Sequence, residues 1–410
     1  MGERFRTELG SRCRILLRVM ERTASTKRDR LLNGPFVLVS FSNLFQAIAF
    51  NLFLHFPGFL SELGAREAQI GLLFGLSSVA SIALRPKLGQ VMDTRGRRGV
   101  ILVGNALNVV AVALYLTVHT LGPWIYFVRI LHGLAEAILF TVLFTYAADC
   151  VPEKRRMQGL MLFGVSGMLP IALGGLLGDA LLARADFTLL FKVALGLTIL
   201  AAFLALPLPE TITPGNGNAE EIPAGFRKVL AQPQLVTVWG LTAIFSIALA
   251  AMFTFIRTFV DTSGIGSVGG FFGAYASVAL TLRVFAGWLP DRIGAKRVLY
   301  PALATLAAGF LLLAFATSSR DVLVAGALCG SGHGYTFPLL FGMVVGRART
   351  ADRGSAMAIY TALFDVGVLI GGPLLGFVIE IRGYTEMFIT AAALVTIGTA
   401  LFAAADRGRS

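Results

Sequence analysis

Apolar residues run along this chain in long blocks, and polar residues gather in the short gaps between them. A helix needs roughly 20 apolar residues to cross a bilayer. Twelve blocks qualify: 36–57, 69–88, 99–118, 123–147, 159–182, 188–207, 235–259, 269–288, 298–316, 322–345, 355–379 and 387–404. Their even spacing leaves no room for a soluble domain between them. Only residues 1–33 and 207–233 form long polar segments. The second, PLPETITPGNGNAEEIPAGFRKVLAQPQ, is rich in Pro, Gly and Asn and reads as a linker. The pattern predicts an all-α membrane protein of 12 transmembrane helices in two six-helix bundles, a 6+6 repeat. The expected units are a basic tail 1–33, a first bundle 34–206, a linker 207–233, a second bundle 234–404 and a tail 405–410.

Charge sets the orientation. The tail and every second gap after it hold 25 Lys and Arg residues, whereas the intervening gaps hold only Arg66, Arg184, Arg320 and Arg382. Basic gaps mark the cytoplasmic side, so both termini are expected in the cytoplasm and the number of spans is even. The tail carries Glu3, Glu8 and Glu21, which argues against a transit peptide, and its apolar run is too short for a signal peptide. Met20 offers an alternative start, so residues 1–19 are expected either to be part of the tail or to lie upstream of the translated chain.

Composition agrees with a lipid-facing surface. Only 14% of residues are charged, against about 25% in soluble domains, and the mean hydropathy is +0.76. The 46 glycines suit close helix approach. Cys13, Cys150 and Cys329 are odd in number and scattered, and the four histidines lie far apart, so neither a disulfide framework nor a metal site is expected. No phosphate-cradling glycine loop is present, which speaks against ATP as energy source, and no cofactor is expected. The net charge of +12 resides in the gaps between spans and does not indicate nucleic acid.

One charged stretch occurs twice. GQVMDTRGRR (Gly89–Arg98) and GWLPDRIGAKR (Gly287–Arg297) align at an offset of 198, which pairs Gly89 with Gly287, Asp93 with Asp291, Gly96 with Gly294 and Arg98 with Lys296. The same offset pairs Leu84-Arg85 with Leu282-Arg283. Each stretch joins the second and third spans of its half, so the chain reads as a duplicated six-helix unit.

The pattern Gly-x-x-x-Asp-x-x-Gly-basic-basic resembles the signature loop of the major facilitator superfamily, and the resemblance covers essentially the whole chain after the tail. Thr94 follows the first Asp where the family often has a basic residue, and Ala295 replaces a basic residue in the second copy. FVRILHGLAEA, with Arg129 and Gly133, resembles the family's span-four pattern, and DCVPEKRR, through Asp149, Pro152 and Arg156, resembles its following turn. Span five has Leu169-Pro170 where drug antiporters carry Gly-Pro, so that signature is incomplete; span eleven has Gly371, Gly372 and Pro373. The resemblance implies a cytoplasmic gate latch built from Gly89, Asp93, Gly96, Arg97 and Arg98 and from Gly287, Asp291, Arg292, Gly294 and Lys296. Asp93 is expected at a helix dipole, and Arg97 and Arg98 are expected to pair with an acid such as Asp149 or with lipid phosphates. The plainer reading is a solvated run that only sets orientation.

Ionisable groups deep in a span are costly and point to function. Arg129, His132 and Glu136 share one face of span four. Glu136 near mid-membrane can trade a proton for substrate, pairing with Arg129 or His132 when ionised; the alternative is a structural Glu136–Arg129 pair. Asp365 in span eleven is a second candidate for proton coupling, or a structural partner of the latch. The resemblance places spans one and ten along the substrate cavity. Expected lining residues are therefore Asn43, Gln46 and Asn51, with His55 on the face of Asn51, together with His333 and Tyr335. Phe140 and Phe144 continue the Glu136 face. Arg257 reads as a snorkelling residue at the outer end of span seven.

The resulting expectation is a monomeric secondary transporter in a bacterial plasma (inner) membrane. It would move a small drug-like or metabolite molecule outward in exchange for protons. Arg85-Pro86 and RGSAMAIYTALFDVG resemble efflux permeases in this respect. Alternatives are an uptake symporter or facilitator for a sugar, organic acid or chelate, and a transport-inactive sensor or scaffold. No nucleophile with a base at local spacing suggests an enzyme.

Overall fold

The computed structural model of the protein describes residues 32–152, 155–211, 226–349 and 352–406. Among these, all regular structure is helical. The first half of the chain contributes α1 (Gly34–Leu52), α2 (Phe56–Glu62), α3 (Glu67–Arg95), α4 (Arg97–Leu114), α5 (Pro123–Cys150), α6 (Arg156–Leu182) and α7 (Phe187–Ala205). A short α8 (Phe226–Leu230) leads into the second half: α9 (Pro233–Ser263), α10 (Val268–Ala286), α11 (Leu289–Ile293), α12 (Ala295–Ala314), α13 (Ser319–Arg347), α14 (Arg353–Arg382) and α15 (Tyr384–Ala405).

Among the described residues, eleven helices are long and apolar enough to cross a membrane, counting α1 and α2 as one. The block expected at 322–345 folds as the 29-residue α13 but is not among them. Its middle, GSGHGYT, supplies helix length without apolar side chains.

Two local features follow from single residues. The first span is interrupted by a 3-10 turn at Phe53–His55, just before Pro57. Pro57 has no N–H to return to the Phe53 carbonyl, so the α-helical ladder breaks there. The duplicated charged stretch is mostly helix rather than turn. Residues 89–95 complete α3, and Gly96 alone, at φ 84°, separates it from α4. In the second half Asp291 and Arg292 sit on α11, and Gly294 at φ 98° starts α12. Hydropathy marks the edge of the apolar layer, not the end of the helix; the chain stays helical until a left-handed backbone, which glycine adopts without strain, ends it.

Within the first half, α1 packs on α6 and α7, α3 on α5, and α4 on α5 and α7. Within the second, α9 packs on α14 and α15, α10 on α13, and α12 on α13 and α15. Two seams join the halves, α3 against α14 and α6 against α10. Both depend on missing side chains. A Cβ on Gly71 would overlap the Gly372 backbone, one on Gly75 would lie 2.8 Å from Leu369 Cα, and one on Gly175 would lie 3.2 Å from Gly269 Cα. Close backbone approach is how helices gain contact area in a membrane.

Candidate functional site

The spacing of α5 places His132 and Glu136 one turn apart, facing α1 and α4. Gln46 of α1 donates through Nε2 to Glu136 Oε1 at 2.6 Å, and Asn108 of α4 donates to Gln46 Oε1 at 3.0 Å. His132 Nε2 lies 3.7 Å from the same Glu136 oxygen, and its Nδ1 is 3.2 Å from the Tyr115 hydroxyl. His132 is buried against Phe53 and Tyr115. A chain of polar groups thus runs Asn108–Gln46–Glu136–His132–Tyr115 through an otherwise apolar interior. It can hold a proton at Glu136 or at His132 without exposing a charge to lipid.

Arg129 does not pair with Glu136. Its Nε donates to the Leu73 carbonyl at 3.0 Å and one Nη to the Phe74 carbonyl at 3.2 Å. The guanidinium lies over the rings of Phe56 and Phe74 and is 2% exposed. Its shared face with Glu136 is real, but the long side chain reaches α3 instead, where two carbonyls and two aromatic faces replace water. Gly133 next to it lets α5 touch the Ser77 backbone.

The other expected cavity residues disperse. Asn43 bonds Ser166 of α6 at 2.9 Å. Asn51 turns back to the Ala47 carbonyl at 2.7 Å and packs against Gly174, so it serves the α1–α6 crossing rather than an open cavity. Phe140 is 61% exposed, and Phe144 meets Phe163 edge-on. Asp365 accepts from Ser81 at 2.8 Å, directly across the α3–α14 seam. In the second half, Tyr275 of α10 and His333 Nδ1 of α13 hydrogen-bond, and the His333 ring is surrounded by Phe245, Phe253 and Phe337. The Tyr335 hydroxyl donates to the Ala286 carbonyl at 2.8 Å. His333 and His132 therefore stand in different halves, each with its own tyrosine.

The end of the molecule that carries Gly96 and Gly294, the basic end, holds one cluster of acid–base contacts in each half. The backbone amides of Arg97 and Arg98 donate to the Glu210 carboxylate at 2.8 and 3.0 Å, which satisfies the start of α4. Arg97 Nε also pairs with Asp149, and Arg98 reaches the Leu206 carbonyl at 3.2 Å. Gly89 and Asp93 lie on α3, and their surroundings fall outside the described residues. In the second half, Lys296 Nζ and Arg347 both bind Asp406, at 2.8 and 2.7 Å, and Thr237 donates to it at 2.8 Å. Burial would raise the Asp406 carboxyl, but the hydrogen bonds of Arg347, Lys296 and Thr237 hold it at about 2. Arg292 stacks on Trp288, and Gly287 and Asp291 are exposed. Glu210 and Asp406 were not foreseen; the available signal was position, an acid just after the sixth helix of each half.

The opposite end is built differently. Several of its polar contacts cross between halves. Glu67 at the start of α3 accepts from the Tyr384 hydroxyl at 2.6 Å and from Thr258 at 3.3 Å. Glu380 accepts from the Ala68 amide at 3.0 Å. On the other flank, Asp179 accepts from the Gly269 amide at 2.7 Å, and His55 lies between the Gly175 carbonyl at 3.1 Å and Arg257 at 3.4 Å. Arg257 is anchored on Asp261 at 2.7 Å and does not merely reach for the interface. These residues looked unremarkable in sequence because their partners lie up to 317 positions away.

A family model, Major Facilitator Superfamily, matches residues 36–292 and 265–409. The chain belongs to the Major Facilitator Superfamily. It is therefore a membrane transporter of small molecules rather than an enzyme. An uncharacterized MFS-type transporter of Salmonella typhimurium is 25% identical over 351 residues, 83% of this chain and 88% of that protein. The uncharacterized MFS-type transporter YhhS of Escherichia coli is 23% identical over 354 residues, 84% and 85% of the two chains. Among solved structures, the human organic anion transporter MFSD10 (TETRAN) superposes with a TM-score of 0.70 at 18% identity, covering 90% of this chain and 99% of that one. The nucleoside transporter NupG superposes with a TM-score of 0.71 at 14% identity over 92% of this chain and 100% of that one. At these identities the likeness to solved structures concerns the fold. Among the described residues, no group of three side chains is arranged to hold a metal ion.

Proposed function

We propose that this superfamily member is a proton-coupled exporter of a drug-like or metabolite small molecule, working by alternating access. Two bundles, one from each half of the chain and six spans each with α13 as the tenth, rock about the α3–α14 and α6–α10 seams. The basic end and both termini face the cytoplasm, in a bacterial inner membrane, and the protein acts as a monomer. The single observation that carries the coupling is the Glu136 carboxylate, bonded to Gln46 and 3.7 Å from His132 inside the first half. Protonation of a carboxylate in an apolar interior removes a charge whose burial costs several kcal/mol, on the order of 3 even on lenient scales, so substrate and proton compete there for the same polar chain. The opposite end, crossed by polar contacts, is the gate that must part for release.

Inside-out vesicles with an imposed pH gradient, acid inside, test this. A panel of lipophilic cations, acids, sugars and chelates is added while a fluorescent probe reports the gradient. Collapse by one compound with wild type, and none with Glu136→Gln, is the expected result. Labelled solute entering intact cells with no gradient collapse would replace export by uptake. A protein that moves no compound in either direction would leave the sensor reading.

A further inference from the structure

Arg129, Glu136, Asp365 and Asp406 each have polar partners. Arg283 is different. Among the described residues no hydrogen bond or ion pair reaches its guanidinium, and its Nε is a buried donor with no acceptor. It sits on α10, one turn from the end of that helix, in a segment that qualifies as a membrane span. A half-buried cation with no counter-charge is a costly arrangement in a membrane, and it persists where a ligand or cavity supplies what the protein does not.

The surroundings indicate what the ligand must be. Tyr275, Ala279 and Arg283 recur at four-residue steps and form one face of α10. That face lies on α13 with Gly330 against Tyr275 and Gly334 against Ala279. Continuing the same register carries Arg283 to the level of Pro338, which is exposed. The glycines that close the crossing have ended there, and no acceptor on α13 reaches the buried Nε. Tyr275 and His333, the hydrogen-bonded pair, lie one to two turns deeper. Beyond them stands an aromatic wall: Phe337 lies 4.9 Å from Phe364, which meets Phe245 at 5.7 Å. No carboxylate among the described residues lies within ion-pair distance of Arg283.

We propose that Arg283 receives the carboxylate of an amphipathic organic anion, whose apolar body lies against the half-buried Phe337 and Phe364. A planar guanidinium binds a carboxylate through two parallel N–H donors. The aromatic wall supplies apolar area for the rest of the molecule. The assignment rests on the transporter reading, but it concerns charge selectivity and not the direction of transport. It needs neither a proton gradient nor Glu136.

Equilibrium binding to the full-length protein in lipid nanodiscs tests it without transport. The probes are 4-phenylbutyrate, its neutral amide 4-phenylbutanamide and the cation 4-phenylbutylammonium. Wild type is expected to bind the carboxylate at least about tenfold more tightly than the amide, a difference of about 1.4 kcal/mol, and the cation more weakly still. Arg283→Gln removes that preference and leaves amide binding unchanged; Arg283→Lys restores part of it, because a point charge replaces the fork. Equal affinity for carboxylate and amide in wild type, a preference for the cation, no binding of any probe, or an unaltered carboxylate preference in Arg283→Gln would each overturn the assignment. Unaltered amide binding also shows that the variants are folded. If the anion site fails while a cation still collapses a pH gradient in vesicles, the exporter reading stands and this one falls. If the anion binds and nothing is exported, the reverse holds.

Discussion

The two ends of the molecule use similar residues for opposite purposes. At the basic end, acids bind bases and backbone amides within one half: Glu210 on the start of α4, and Asp406 on Lys296 and Arg347. At the opposite end, Glu67, Glu380, Asp179 and Arg257 make contacts that cross from one half to the other. The first arrangement ties residues of one half to each other. The second holds the halves together, and with contacts that can be broken one at a time. A transporter that rocks needs both, and the difference lies in which partner each acid finds, not in which acids are present.

Substitutions that fill the seam should break this comparison most severely. Gly71→Val places a branched side chain on the Gly372 backbone, where no flexible group can yield. Transport should be abolished, and cysteine cross-linking across α3 and α14 at this end should fall; normal transport would show that the seam is not needed. Glu136→Gln comes next. It keeps a hydrogen-bonding side chain beside Gln46 but cannot ionise, so coupled transport should be lost while the melting temperature in detergent changes little.

The two clusters at the basic end should differ in strength. Asp406 is 1% exposed, and removing one partner of a buried ion pair costs about 3–5 kcal/mol, so Asp406→Asn should lower the melting temperature clearly. Glu210 is exposed, and Glu210→Gln should cost no more than about 1 kcal/mol. A reversed order would mean that the described geometry misplaces the stronger cluster. The smallest effect is one of pH. The folded value of Asp406, about 2, lies below the ordinary 3.8. Its stabilisation is therefore complete above about pH 4 and disappears as pH falls through about 2. The gap in melting temperature between wild type and Asp406→Asn should hold from pH 7 to pH 5 and close only near pH 2.

Much of the fold was legible because a membrane span leaves a long apolar run, and because duplication repeats Gly, Asp and Gly at a fixed offset. Arg129 shows where that legibility ends. Helical spacing places it on the face of Glu136, yet a long side chain travels further than a one-turn step, and its partners turned out to be carbonyls of α3. Asn51 and His55 fail for a related reason: periodicity gives the face of a helix but not the neighbour on that face, and α6 was the neighbour. Glu67 and Tyr384 were invisible since each depends on a partner far away in sequence, and for Glu210 and Asp406 only their position after the sixth helix of each half hinted at a role. Arg283 was visible as the repeat mate of Arg85, but only the packing of α10 on α13 reveals that it has no partner among the described residues.

The central claim is that the end opposite the basic one opens while the basic end closes. Distances between spin labels test it most directly. One pair is placed at Arg184 and Ser263, at the opposite end of the two halves, and a second at Gly99 and Arg297, at the basic end; Cys13, Cys150 and Cys329 are replaced. The protein is held in nanodiscs, with and without a transported compound, at pH 5.5 and pH 8. The account predicts that the first distance lengthens when the second shortens, with both populations present and shifted by pH or compound. Distances that stay fixed under every condition, or that rise and fall together, would contradict it.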